Sequence, residues 1–418
     1  MAAPLTRMYN SAVHQKEPPT TTDYDIITIG GGLGGAALAK SMAENGARVL
    51  VLERETKFKD RVRGEWMAPW GVAEATALGL RDLILENGGH NLNLWDNYVG
   101  PAMIGRRDFT TSTPQTIPSI TIYHPQVQEA LLAAAADAGA EVRRGARART
   151  VEAGATPSVT VDWDGGSERI SARLIVGADG RGSPTRKHAG FEVRQDPARM
   201  LLAGLLFEDA GVANEDVGII VINPFVRQGA LAFPQGNGRA RCYFGCREET
   251  GLRLQGEKDV PRFIEESIRT GVPASLFEGS KPNGTFQGAD QWTDHPYRGG
   301  VALVGDAAAT SDPTWGQGLS LTMRDVRTLR DKLLADDDWD RAAHAYAEEH
   351  DVYYDAIHTA EDWLTQLFMD TGQEAEARRL RVLPLIAQDQ TRVPDVFFSG
   401  PESSPVDETA RRRFFGED

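Results

Sequence analysis

The run Tyr24-Asp25-Ile26-Ile27-Thr28-Ile29-Gly30-Gly31-Gly32-Leu33-Gly34-Gly35 decides the fold. Its apolar, β-branched first half predicts a buried parallel strand. Ala36 to Asn45 is rich in helix formers and closes on Gly46, a suitable residue just past a helix end. Arg48-Val49-Leu50-Val51-Leu52 then predicts a second strand ending at Glu53. This is a complete βαβ unit with an acid about twenty residues beyond the glycines, the arrangement that binds dinucleotides. Gly30 permits the tight turn, Gly32 lets the backbone approach a pyrophosphate, and Gly35 allows the helix to lie close on the strand. The helix start around Leu33 and Gly34 offers N–H groups and a positive dipole end to phosphates. Glu53 would accept hydrogen bonds from ribose hydroxyls and disfavour a 2′-phosphate; Arg54, next in sequence, is placed with it at the cofactor.

Two further motifs follow the same plan. Arg173-Leu174-Ile175-Val176 runs into Gly177-Ala178-Asp179-Gly180-Arg181-Gly182-Ser183-Pro184-Thr185-Arg186. Gly300-Val301-Ala302-Leu303-Val304 runs into Gly305-Asp306-Ala307-Ala308, and Asp312-Pro313-Thr314-Trp315-Gly316-Gln317-Gly318 comes soon after. Each sets an Asp at the carboxyl end of a strand, where open α/β sheets bind ligands. Leu319, Met323, Val326 and Leu333 recur at helical spacing, predicting a helix directly after Gly316 and Gly318.

In the order and spacing of these motifs, about residues 24–334, the chain resembles the single-component FAD-dependent aromatic monooxygenases, relatives of para-hydroxybenzoate hydroxylase. The resemblance implies FAD as cofactor and NADPH or NADH as co-substrate. It makes the first glycine run the ADP-binding motif. Asp179 and Arg181 fall in the motif that contacts FAD and is linked to NAD(P)H use, with Arg181 and Arg186 as contributors to a transient nicotinamide groove. Asp306 would hold the ribityl chain, and Arg63 would lie beside the pyrophosphate. His124 stands where the family has Arg or Gln on the FAD phosphates; this departure leaves a phosphate contact and a local hydrogen bond at a helix start both open. Where the family commonly shows Asn after the last glycine, this chain has Leu319-Ser320, so that flavin contact would come from backbone. The loop Pro313–Gly318 would face the flavin ring, with Pro313 and Trp315 next to the chemistry. The helix start behind it would stabilise the negative charge of reduced flavin. The implied reaction reduces flavin with NAD(P)H, adds O2 at C4a as a hydroperoxide, and transfers one oxygen to an aromatic or phenolic small molecule. No metal is required.

The fold expected is α/β: a Rossmann-type FAD-binding domain of the para-hydroxybenzoate hydroxylase kind, an antiparallel-sheet substrate domain and C-terminal helices. Residues 1–22 read as a flexible leader. Residues 23–90, 120–195 and 285–340 form the FAD-binding domain, 91–119 and 196–284 the substrate domain, and 341–418 a helical end. Met200–Phe207, Val217–Ile222, Gly229–Phe233 and Ala240–Phe244 are strand-like and separated by turn signals. Trp95, Tyr98, Phe109, Phe207, Phe225, Phe233, Tyr243 and Trp315 are candidate walls of the substrate chamber, most of them ordinary core. Cys242 and Cys246 sit four apart on one strand, too far for a disulfide.

A net charge of −15 argues against nucleic acid or an anionic membrane as partner. No apolar run reaches membrane-spanning length and no signal-peptide core stands at the start, which reads as cytoplasmic. The sequence leaves the oligomeric state open. Three rival readings share the fold. A flavin-dependent halogenase would carry a W-x-W motif and a catalytic lysine, and no W-x-W occurs. A geranylgeranyl-reductase-like flavoprotein is a further enzyme reading. A non-catalytic binding protein would have lost the flavin contacts that the intact glycines, Glu53 and Asp306 provide here.

Overall fold

The computed structural model describes residues 22–61, 64–208, 214–277 and 280–418. The leader up to residue 21 and Arg63 lie outside the described residues.

The strand Tyr24–Ile29 sits inside a parallel sheet between Val49–Glu53 and Gly166–Gly177, with Glu141–Arg144 and Val301–Leu303 beyond them. The register explains why three motifs far apart in sequence meet. Ile29 lies opposite Gly177, and Gly177 opposite Leu303, so three strands end in one row. Gly166–Gly177 is longer than its apolar tail suggests, because its polar first half pairs antiparallel with Ser158–Trp163. The helix Leu33–Glu44 packs against this sheet, and Gly46 follows its end with φ +85°. A Cβ at Gly35 would lie 1.9 Å from the carbonyl oxygen of Gly30, so only glycine allows this approach.

The second sheet has seven strands: Ser280–Gly288, Met200–Phe207, Ala240–Arg247, Gln228–Pro234, Val217–Asn223, Leu94–Val99 and Ala102–Asp108. It differs from a purely antiparallel sheet at one seam, where Leu94–Val99 runs parallel to Val217–Asn223. These strands are joined through the dinucleotide-binding unit rather than by a hairpin, and a long crossover permits a parallel pair. The edge strand Ser280–Gly288 carries this sheet past residue 284. One face buries Phe207, Phe244, Cys242 and Cys246 with Phe263 of the helix Val260–Thr270. Both cysteines are free, and burial pushes the Cys242 thiol up to about 12. The opposite face presents Trp95, Leu231, Phe233 and Tyr243 to the cofactor side.

The helices Gly318–Ala335 and Trp339–Phe368 follow, joined by a turn in which Asp338 accepts from the N–H of Arg341. Leu319, Met323, Val326 and Leu333 form the buried stripe of the first. Beyond residue 368 come the helices Gln373–Gln388, Val396–Ser399 and Glu408–Phe415, which close the aromatic side. Among the described residues no helix is long and apolar enough to cross a membrane.

Candidate active site

A cleft of about 540 Å³ opens where the three strand ends meet. Gly30, Gly32, Glu53, Arg54, Asp179, Arg181, Asp306, Pro313, Gly316, Gly318 and Leu319 all border it. Two helices point their starts toward it. In Leu33–Glu44 the first intrahelical bond is donated by Ala36, so the N–H groups of Leu33, Gly34 and Gly35 precede the ladder. In Gly318–Ala335 it is donated by Leu321, which leaves those of Gly318, Leu319 and Ser320 ahead of it. Such helix starts carry partial positive charge suited to phosphates and to anionic flavin.

Each glycine motif is braced from behind. Gly30 has φ +102°, and a Cβ there would lie 2.4 Å from the Ala178 carbonyl oxygen, so the first and second motifs touch through backbone. The Glu53 carboxylate accepts from the N–H of Gly31 at 2.8 Å and from that of Glu55 at 2.7 Å. Asp179 accepts from Ser183 Oγ and from both the N–H and the hydroxyl of Thr185, at 2.9 and 2.8 Å, so its carboxylate ties its own turn. The Gly305 turn, at φ +59°, donates to Asp325 Oδ2 at 2.7 Å, and Tyr353 donates to the other oxygen at 2.5 Å. Burial holds the Asp325 carboxyl above its ordinary range. Asp325 had no signal in the sequence, since it reads as one more polar residue within a helix.

Six expected residues do not border the cleft: His124, Trp315 and Arg186 are engaged elsewhere, and Leu33, Gly34 and Gly35 stand behind the glycine turn. His124 is 4 % exposed and its Nε2 meets the Gly64 carbonyl at 2.8 Å, the local reading of that residue. One turn on, Gln128 borders the cleft instead, its Nε2 3.6 Å from where a Gly32 Cβ would be. Trp315 is not on the cleft: its indole N–H donates to Thr365 Oγ1 at 3.0 Å and its ring packs toward Phe397. Its neighbour Pro313 is on the cleft, because the turn closed by Trp315 N–H on the Asp312 carbonyl turns the two side chains apart. Arg186 is 4 % exposed and donates to the Ala307 and Arg181 carbonyls at 3.2 and 2.8 Å. It locks the second motif to the third, and burial lowers its pKa; it cannot line an open nicotinamide groove. Leu33, Gly34 and Gly35 lie behind the glycine turn, with Gly34 against Thr322.

The wall beyond the loop is aromatic. Trp66 borders the cleft and contacts Trp95, Phe109 and Phe398, with ring centroids 4.9 to 6.5 Å apart. Phe233 joins at 5.8 Å from Trp95. Tyr98 and Phe207 belong to the opposite face of the sheet, and Phe225 is 87 % exposed. Trp66 and Phe398 were missed in the sequence because neither lies in a strand-like run of the second sheet. Beside Trp66 a buried polar knot ties the seven-stranded sheet to Asp60 and Glu65: Arg241 pairs with Asp60 at 2.7 Å and Glu65 at 3.2 Å, and Tyr243 donates to Glu65. Burial, then the Glu65 charge, drives the Tyr243 hydroxyl well above its ordinary value.

A cleft of about 540 Å³ lined by three glycine motifs, two helix starts and an aromatic wall define a flavoprotein site. The residues fit FAD: Gly30, Gly32, Gly180, Gly182, Gly316 and Gly318 line the cleft without side chains, and arginines stand among its other lining residues. The chain matches the FAD binding domain family over residues 23–346. It is 31 % identical over 375 residues to the rifampicin monooxygenase of Streptomyces venezuelae, covering 86 % of this chain and 75 % of that protein. It is 28 % identical to a 3-(3-hydroxy-phenyl)propionate/3-hydroxycinnamic acid hydroxylase of Mycolicibacterium gilvum, covering 75 % of this chain but only 54 % of that protein. Among solved structures, p-nitrophenol 4-monooxygenase of Pseudomonas putida DLL-E4 has the same fold at TM-score 0.74 and 19 % identity, covering 88 % of this chain and 95 % of that one. The chain belongs to the FAD binding domain family, and within it to the FAD-dependent monooxygenases.

Proposed function

We propose that this enzyme uses NAD(P)H and O2 to insert one oxygen atom into an aromatic, most simply a phenolic, small molecule. The observation that supports this reading is the placement of Trp66 and Pro313 on the same cleft as the three glycine motifs. Bound FAD would take two electrons from the nicotinamide and deliver one oxygen atom of O2 to the substrate carbon. The chain's own part is binding and exclusion. Glu53 and the two helix starts would hold the nucleotide and phosphates, Asp306 the ribityl hydroxyls, and Pro313 with Gly316 the ring. The aromatic wall would keep the reacting face dry, which favours oxygen transfer over loss of peroxide. One specific feature favours a phenol: the Tyr243–Glu65–Arg241 knot lies next to Trp66, where its buried charge could bias a substrate hydroxyl.

The test is a panel of phenolic and heteroaromatic compounds screened for stimulated NAD(P)H oxidation, with product mass measured under ¹⁸O2. A true substrate gains one heavy oxygen. Reduction of a double bond with no oxygen gained would instead favour the reductase reading, and absence of FAD would exclude both.

A further inference from the structure

Behind the flavin-facing loop lies a buried chain of acidic groups that the proposed reaction does not yet use. Ser311 borders the cleft and donates to Glu361 Oε1 at 2.5 Å. The Glu361 and Asp290 carboxyls contact each other, and Asp290 is followed by His358, whose Nε2 lies 3.6 Å from Asp290 Oδ2. The same Nε2 is 3.0 Å from Asp196 Oδ2, on a side chain 37 % exposed. The series therefore runs from cleft to surface. Its centre is unusual: Asp290 Oδ1 and Glu361 Oε2 are buried with no hydrogen-bond donor. Two buried carboxylates in contact disfavour a second charge, so one proton held between the pair is the favoured state.

We propose that Ser311, Glu361, Asp290 and His358 form a proton conduit between the cleft and solvent at Asp196, with one proton held between Glu361 and Asp290. The inference rests on FAD occupying the cleft, and not on the identity of the substrate.

The surroundings support a proton kept in the middle. Burial, and then the Asp312 and Asp196 carboxylates, push Asp290 well above the ordinary carboxylate range. The N–H of Asp312 and the Glu361 carboxyl offset this only in part. Burial and then Asp290 do the same to Glu361. Asp312 is itself raised by burial, although Thr314, Arg181 and Arg199 act to lower it. Tyr354 stacks on His358 at 5.7 Å and, being neutral, supplies no countercharge. Transfer toward the cleft is a relay: His358 gives its proton to Asp290, the shared proton moves onto Glu361, and Glu361 protonates Ser311 as the serine hydroxyl passes its own proton on. Each group ends as it began once His358 is reprotonated through Asp196.

The experiment needs neither nicotinamide nor aromatic substrate. Photoreduced holoprotein is mixed with O2 and followed by flavin absorbance and a pH indicator. Oxidation of the anionic reduced flavin to give H2O2 sends two electrons to O2 and takes one proton from the flavin N–H and one from solvent. His358→Gln should slow reoxidation and proton uptake by about a hundredfold, the lower end of what a positioned acid contributes. Added imidazole should restore the rate, and FAD affinity should not change. Ser311→Ala should slow the same step from the other end. Infrared spectra of the apoprotein at neutral pH should show a protonated carboxyl band that Glu361→Gln lacks. A wild-type rate in His358→Gln, a slowed rate that imidazole does not restore, or identical carboxyl bands in wild type and Glu361→Gln would each overturn the conduit. Failure to hydroxylate any phenol would count only against the proposed function.

Discussion

The N–H of Gly31 donates to Glu53 Oε2 across the first crossover at 2.8 Å, which makes the acid a strut for the glycine loop in addition to the ribose contact proposed for it. The second carboxylate oxygen is held by the N–H of Glu55. Glu53→Gln leaves one amide nitrogen facing a backbone donor. The expected outcome is weaker FAD binding together with a less stable apoprotein, by about 1–3 kcal/mol for the group left without its acceptor. FAD titration and apoprotein denaturation check both parts. Unchanged apoprotein stability would confine Glu53 to the nucleotide.

Asp306 reaches the cleft on a turn that Asp325 and Tyr353 hold from behind. On the proposed binding of FAD, Asp306→Ala would remove one charge-assisted hydrogen bond to the cofactor, worth about 1.5–3 kcal/mol. FAD occupancy after purification should fall while the melting temperature of the apoprotein stays near wild type. Asp325→Ala should lower both, because it releases the buried turn. Equal effects from the two variants would remove the distinction between a ligand and its support.

Gly35→Ala should prevent assembly of the first unit, since its Cβ would sit 1.9 Å from the Gly30 carbonyl oxygen in rigid backbone. Gly46 has no atom within 4 Å of the corresponding position, so only its positive φ resists substitution. Gly46→Ala is expected to cost about 1 kcal/mol and to retain FAD. Soluble yield and flavin absorbance of the two variants decide the matter.

These glycines also show what was legible in the sequence. The first unit carries its full plan locally: strand, turn, helix and acid are all within one short run, and covalent proximity fixes their register. The convergence of the three motifs could be anticipated because parallel strands end on one side. The substrate side could be anticipated only in part, through Trp95, Phe109, Phe233 and Tyr243. Trp66 and Phe398 meet only through tertiary packing, from distant parts of the chain, with no periodicity to betray it, whereas Tyr243 stood out as an aromatic in a strand-like run but its partner Glu65 did not. Arg186 misled for a related reason. An arginine after a glycine turn reads as a surface cation, yet two backbone carbonyls from folded neighbours satisfy its guanidinium inside. Trp315 and Pro313 lie two apart in one loop, and only the turn at Asp312 decides which faces the cleft.

Stability should fall with rising pH through the Glu361 site. In the folded protein burial and then Asp290 raise its pKa well above the ordinary value, whereas the unfolded chain ionises near that value. Above the ordinary carboxylate range the folded form therefore binds more protons than the unfolded form, so raising the pH favours unfolding. Wild type should lose stability relative to Glu361→Gln by about 1.4 kcal/mol per pH unit across that window, until the folded-state group ionises. Below the ordinary range both states are protonated and this difference should stop changing. Denaturant titrations of the two proteins from about pH 5 to about pH 9 test the slope. Parallel curves would show that the buried carboxyl is ionised in both states.

The loop carrying Pro313 is expected to govern how efficiently reducing equivalents become product. Its flanks are fixed: Thr314 N–H donates to Asp312 Oδ1 at 2.8 Å, and Gln317 accepts from the Trp70 indole at 3.2 Å while donating to the Trp315 carbonyl at 2.8 Å. Pro313 itself restricts φ at a position that borders the cleft, and glycine there would free it. Pro313→Gly should keep FAD and NAD(P)H oxidation but release more H2O2 per product formed, because a small positional error costs rate steeply and a looser loop admits water. Trp315→Phe serves as the contrast. It deletes the indole donor to Thr365, keeps most of the ring packing, and should cost about 1 kcal/mol of stability with coupling unchanged. Peroxide and product are measured side by side for both variants. If Trp315→Phe uncouples as strongly as Pro313→Gly, the loop acts through its packing as a whole, and proximity of Pro313 to the cleft has no special part in it.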